Sequence, residues 1–165
     1  MKEAIEKETI FERLREVADP ELPVLNVLDL GIVRDVVVQG DHVEVVITPT
    51  YSGCPAMDVI AMNIRMQLAA DGYADVTVRQ SLSPAWTTDW ISEEGKEKLK
   101  KFGIAPPNPR QQVCEPALFN RNEAVQCPHC NSWHTHEVSE FGSTPCKALY
   151  LCDECKEPFD YFKCL

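Results

Sequence analysis

Apolar residues recur along the chain at two spacings, and the switches between them mark the elements. Ile10, Leu14 and Val17 fall at i, i+4 and i+7, one face of a short amphipathic helix that Asp19-Pro20 brings to an end. Pro20 and Pro23 turn the chain. From Val33 to Thr48, β-branched residues crowd both sides of Gln39-Gly40-Asp41, which predicts two antiparallel strands joined as a hairpin. Pro55 to Ala70 returns to helical spacing through Met57, Ile60, Ala61, Ile64 and Leu68, and Asp71-Gly72 closes it. A third strand is expected over Asp75 to Leu82, and Ser92 ahead of Glu93 and Glu94 fits the N-cap of a helix reaching Phe102. The fold class is α+β: a small sheet, hairpin plus third strand, packed with helices over residues 1–103.

The period then fails. Residues 104–124 carry Pro106, Pro107, Pro109 and Pro116 and read as a linker. Residues 125–165 form a second module, and about 40 residues is too few for a sizeable core, so a metal or disulfides must hold it. Composition agrees with a globular chain, at 44% hydrophobic and 25% charged residues. The formal net charge of -10 comes without any long basic run, which removes the source of affinity for nucleic acid. No apolar window reaches the roughly 20 residues that span a bilayer, so a cytoplasmic protein is expected, with no membrane partner.

A cytosol keeps thiols reduced, so its cysteines serve more often as metal ligands than as disulfides. Six of the eight cysteines fall within residues 127–165. Cys127-Pro128-His129-Cys130 and Cys152-Asp153-Glu154-Cys155 each aim two thiolates at one point, and together they predict a tetrahedral metal site of zinc-ribbon type. Zinc is the expected ion; an iron–sulfur cluster is the alternative that the same ligands could serve. Cys146 and Cys164 exceed that need and are either packed small residues or additional ligands. His129, His134 and His136 have nothing to ligate once four thiolates are in place, and Cys114 sits in the linker.

In the first domain, Thr48-Pro49-Thr50-Tyr51-Ser52-Gly53-Cys54-Pro55 ends a strand and starts a helix. Pro55 suits the first helical position, which places Cys54 near the N-cap, where free N–H groups favour a thiolate. Cys54 is therefore a candidate reactive or metal-touching cysteine, against the plain reading of a small residue at a tight turn. His42 is the only histidine in that domain, so base-assisted covalent catalysis has little support. Asp19, Glu21 and Asp29 suit turn and cap duty. Trp86 and Trp90, four apart, offer a partner-docking anchor or core packing.

Several of these stretches resemble known families. Asp19-Pro20-Glu21, Asp29-Leu30-Gly31 and Thr50-Tyr51-Ser52-Gly53-Cys54-Pro55 look like the iron–sulfur cluster assembly domain of the SufT-like proteins. Pro84 to Trp90, Phe141 to Tyr150 and Glu157 to Cys164 resemble the PaaD family, the D components of the bacterial phenylacetyl-CoA epoxidase (monooxygenase) system. The resemblance implies a functional cysteine at Cys54 and a metal-binding module at Cys127, Cys130, Cys152 and Cys155. It also implies a role in aerobic phenylacetate breakdown as a non-enzymatic accessory or maturation factor. Its partners would be the oxygenase and reductase components and iron–sulfur assembly proteins, with a stoichiometric structural component as the alternative. The chain has no Glu-x-x-His pair for a di-iron site, no Gly-rich dinucleotide fingerprint and no ferredoxin-type cysteine run. Whether it forms a homodimer is left open.

Overall fold

The hairpin forms where β-branched residues crowd: β1 (Val33–Gln39) pairs antiparallel with β2 (His42–Ile47) in a computed structural model that describes residues 2–107 and 125–163. Gly40, at φ +62, makes the tight turn, and His42 opens β2. β3 (Asp75–Gln80) then adds to β2 in parallel, giving the order β1-β2-β3. A parallel neighbour needs a crossover, and α2 (Ala56–Ala70) supplies it. α2 buries Ala56, Met57, Ile60, Ala61, Ile64 and Leu68, the stripe expected from spacing. α1 (Lys2–Leu14) contributes Ile10 and Leu14, both fully buried. Val17 lies beyond the end of α1 yet is also buried, and its carbonyl accepts the Val27 N–H at 3.0 Å. Each such aliphatic side chain contributes about 1.5–3 kcal/mol when removed from water.

Backbone packing divides the chain into two units, residues 1–86 with 90–92 and residues 87–89 with 93–165. The first unit closes with the tryptophans. Trp86 is buried and its indole N–H donates to the Leu30 carbonyl at 2.8 Å, which favours core packing over partner docking, the two roles its spacing left open. Trp90 is half-buried with the Arg34 guanidinium 3.4 Å above its ring. Gly31, at φ +67, passes so close that a Cβ there would lie 2.3 Å from the Trp90 carbonyl oxygen.

The second unit begins earlier than the sequence spacing placed it. α3 (Glu93–Lys101) and β4 (Ile104–Ala105) both belong to it, and Ile104–Ala105, read as the start of a linker, is a short strand parallel to β7. β5 (Thr135–Ser139), β6 (Lys147–Cys152) and β7 (Pro158–Phe162) complete a sheet ordered β4-β7-β6-β5. This unit has a small core after all: Ala105, Val125, Cys127, Ala148, Tyr150, Cys152, Phe159 and Tyr161 pack together. The Tyr150 ring stacks edge-on against Tyr161 at 5.5 Å between centroids. Aromatic rings fill volume that a short module cannot fill with chain length.

Candidate functional site

The two Cys-x-x-Cys turns are built alike. Cys127 N donates to Ser132 O at 2.9 Å and Asn131 N to Cys127 O at 2.9 Å; 25 residues on, Cys152 N donates to Glu157 O and Lys156 N to Cys152 O, both at 3.1 Å. Asn131 (φ 61) and Lys156 (φ 62) both adopt the left-handed conformation directly after the second cysteine, which reverses the chain beneath the sulfurs. The result is a cluster in which the Sγ atoms of Cys127, Cys130, Cys152 and Cys155 all lie within 4.8 Å of one another. Cys127 Sγ is 3.8 Å from Cys155 Sγ, and Cys130 Sγ is 3.5 Å from Cys152 Sγ. A tetrahedral ion holding sulfurs at about 2.3 Å sets them roughly 3.8 Å apart.

Electrostatics make the same case. Burial pushes the Cys127 thiol up, with backbone N–H groups of Cys130 and His129 opposing it. Burial also works against the Cys152 thiolate, but the N–H groups of Cys155 and Glu154 and the sulfurs of Cys130 and Cys155 bring it down to about 7. At Cys155 the Glu157 N–H favours the thiolate, yet burial and the three neighbouring sulfurs outweigh it and push the thiol up to about 12. Four thiols this close cannot all ionise alone; a multivalent cation at their centre removes the conflict. This is a metal-binding site.

The surroundings match the remaining expectations unevenly. His134 and His136 point not at the sulfurs but at carboxylates of the second turn, with His134 Nδ1 2.7 Å from Glu154 and His136 Nδ1 3.1 Å from Asp153. His129 lies against Gly103, where a Cβ would meet its Cε1 at 3.1 Å. Cys146 stands outside the cluster, buried, with its sulfur 3.0 Å from Thr144 Oγ1, so it is not a fifth ligand. Cys114 and Cys164 lie outside the described residues.

Cys54 occupies the corner between β2 and α2 and is half-buried. Gly53, at φ +80, makes the turn into it, Cys54 N donates to Tyr51 O at 3.3 Å, and Met57 N donates to Cys54 O at 3.3 Å. Pro55 is the N-cap of α2 rather than its first residue, so Cys54 lies near the cap as expected, one residue before it. Burial pushes the thiol up; the Ala56 N–H and the Tyr51 hydroxyl pull the other way, and the carboxylates of Glu21 and Asp19 push it up again. The expectation of a helix-stabilised thiolate is therefore corrected, since desolvation and two acidic neighbours outweigh the Ala56 N–H and the Tyr51 hydroxyl.

Those neighbours were the part that spacing alone missed. Asp19 does the expected turn work, its Oδ1 accepting from the N–H groups of Glu21 and Leu22 at 2.8 Å each. Asp29 does likewise for Asn26 N at 3.1 Å. The Asp19 turn, more than 30 residues from Cys54 in the chain, also brings acidic charge to that thiol. Thr48, at the head of the same loop, has a buried Oγ1 with no hydrogen-bond partner among the described residues. A buried hydroxyl without a protein partner is uncommon in folded proteins.

Comparison with known proteins meets this arrangement at both units. Residues 7–79 match the family described as iron-sulfur cluster assembly protein, and residues 111–163 match the PaaD zinc beta ribbon domain. A protein of Escherichia coli (strain K12), provisionally named as the D component of 1,2-phenylacetyl-CoA epoxidase, is 47% identical over 156 residues, 94% of this chain and 92% of its own length. An Fe-S protein maturation auxiliary factor of Porphyromonas gingivalis is 40% identical over 95 residues, 56% of this chain and 90% of that protein. A DUF59 domain of Bacillus anthracis, of unknown function, superimposes with a TM-score of 0.57 at 24% identity over 60% of this chain and 95% of its own, which shows the fold. No helix among the described residues is long and apolar enough to cross a membrane. With an assembly-type α+β unit followed by a four-cysteine ribbon, the chain belongs to the PaaD family.

Proposed function

We propose that the chain is a non-catalytic accessory factor of a phenylacetyl-CoA epoxidase system, which helps the oxygenase or reductase component acquire or keep its iron or iron–sulfur centre. The observation that carries this reading is the position of Cys54: a soft ligand at an open strand-to-helix corner, beside two carboxylates, in a domain matched by iron-sulfur cluster assembly proteins. Burial, helped by the acidic neighbours, holds the thiol protonated, and those same carboxylates attract a cation. As iron arrives, the proton leaves and the thiolate binds; as iron passes on, reprotonation releases the sulfur. Transient holding suits a carrier.

The four-cysteine site has a different task in this reading. We assign it a structural zinc that ties the two turns together. Sulfurs all within 4.8 Å of one another leave room for a single ion, whereas a cluster needs its ligands spread around several irons. Zinc has no redox chemistry, so the module serves folding and docking rather than electron transfer.

A second reading, a stoichiometric component of the epoxidase complex, is favoured by the name of the Escherichia coli relative. Purification of the epoxidase with this chain tagged separates the two. A maturation factor leaves once its client is loaded; a structural component stays at a fixed ratio.

A further inference from the structure

Helix α2 turns an apolar stripe outward as well as inward. Val59, Met62 and Met66 are exposed large hydrophobic residues at i, i+3 and i+7, with Met62 at 52% and Met66 at 62% exposure. Asp58 and Arg65 are exposed beside that stripe, and neither has an ion-pair partner among the described residues. At 100° per residue, Asp58 and Arg65 lie on one flank of Met62, Val59 and Met66 on the other, with small Ala69 near the midline.

We propose that this face pairs with the same face of a second copy, the two α2 helices running antiparallel about a two-fold axis at Met62. Such an axis reverses the helix direction and keeps each flank on its own side. Asp58 of one copy then meets Arg65 of the other, twice, while Val59 meets Met66 twice on the opposite flank and Met62 meets its own counterpart. A parallel two-fold pair exchanges the flanks instead, setting Asp58 against Val59 and Arg65 against Met66, so that each charge faces an apolar side chain. The surface is self-complementary in charge and in shape only in the antiparallel sense, which commits the occupant to a second copy of this chain. Methionines suit a seam that forms and separates, because flexible thioethers repack at little cost.

The geometry leaves the candidate site free. Cys54 precedes Met62 by eight residues, about 12 Å along the helix, so the two copies carry their cysteines at opposite ends, roughly 24 Å apart. The dimer has two independent sites.

Sedimentation of the full, metal-loaded chain over a wide concentration range tests this. The expected result is a monomer–dimer equilibrium that Met62→Lys weakens at least about tenfold, by placing two like charges at the axis. Asp58→Arg and Arg65→Asp should each weaken it as well, and the double exchange should restore it. All these positions are exposed, and unchanged circular dichroism will show that folding is intact. A monomer at every concentration, a dimer indifferent to Met62→Lys, or a double exchange that fails to restore pairing overturns the proposal. A chain that stays monomeric but binds an epoxidase component through this face also overturns it, and assigns the face to that component.

Discussion

The sulfur of Cys130 stands 3.5 Å from that of Cys152, although 22 positions separate them in sequence. The β5–β6 ladder, which sets Thr135 opposite Cys152, brings the two turns near, but thiolates this close repel unless a cation lies between them. Removing the ion should therefore release one turn from the other. Metal analysis is expected to give one zinc per chain, and a strong chelator should melt the second unit selectively, since structural zinc in small fingers contributes on the order of 10–16 kcal/mol of apparent binding energy. A fragment ending at Ser92 retains the first unit's core and should unfold cooperatively with or without chelator. Loss of both units together on chelation would contradict the division.

Trp86 holds the first unit closed through its hydrogen bond to Leu30. Trp86→Phe keeps most of the apolar volume but strands the Leu30 carbonyl, for an expected loss of about 1–3 kcal/mol. Trp86→Ala should lose about 3–5 kcal/mol. Gly31→Ala meets both a left-handed backbone and the Trp90 carbonyl at 2.3 Å, so it should be among the most damaging small substitutions in the chain. Denaturant midpoints rank the three.

Cys54 should be slow to alkylate. Its pKa is held above the ordinary 9.0 by burial and by Glu21 and Asp19, so at neutral pH the thiol dominates and reactivity keeps climbing as pH rises past that value. Glu21→Gln removes a like charge and should lower the pKa, shifting the rate profile towards lower pH. Peptide-resolved iodoacetamide labelling of the metal-loaded chain across pH checks both statements. A Cys54 faster than a free peptide thiol at pH 7 would contradict this picture of its environment.

Much of this was legible in sequence, and the misses have physical causes. β-branched runs around Gln39-Gly40-Asp41 pointed to the hairpin, and the Met57 to Leu68 stripe to α2, because each signal is local. β4 escaped because two residues, Ile104–Ala105, carry no period and gain strand character only from β7. The cysteine cluster could be read because each Cys-x-x-Cys turn is short-range. The left-handed turns that complete it could be foreseen at Asn131 but not at Lys156, whose side chain disfavours that conformation. The meeting of Cys54 with the Asp19 turn is long-range, and only the folded chain displays it.

Cys54, as the ligand through which iron passes, is the centre of the proposed function. Serine nearly matches the cysteine in volume, and the position lies outside α2, so Cys54→Ser should leave folding intact while removing the soft donor. The most direct measurement is the iron and acid-labile sulfide content of the epoxidase oxygenase and reductase purified from cells carrying Cys54→Ser, with growth on phenylacetate recorded alongside. An iron-poor client and failed growth are expected. A fully loaded client, whether or not growth survives, would contradict the assignment of Cys54 to iron transfer.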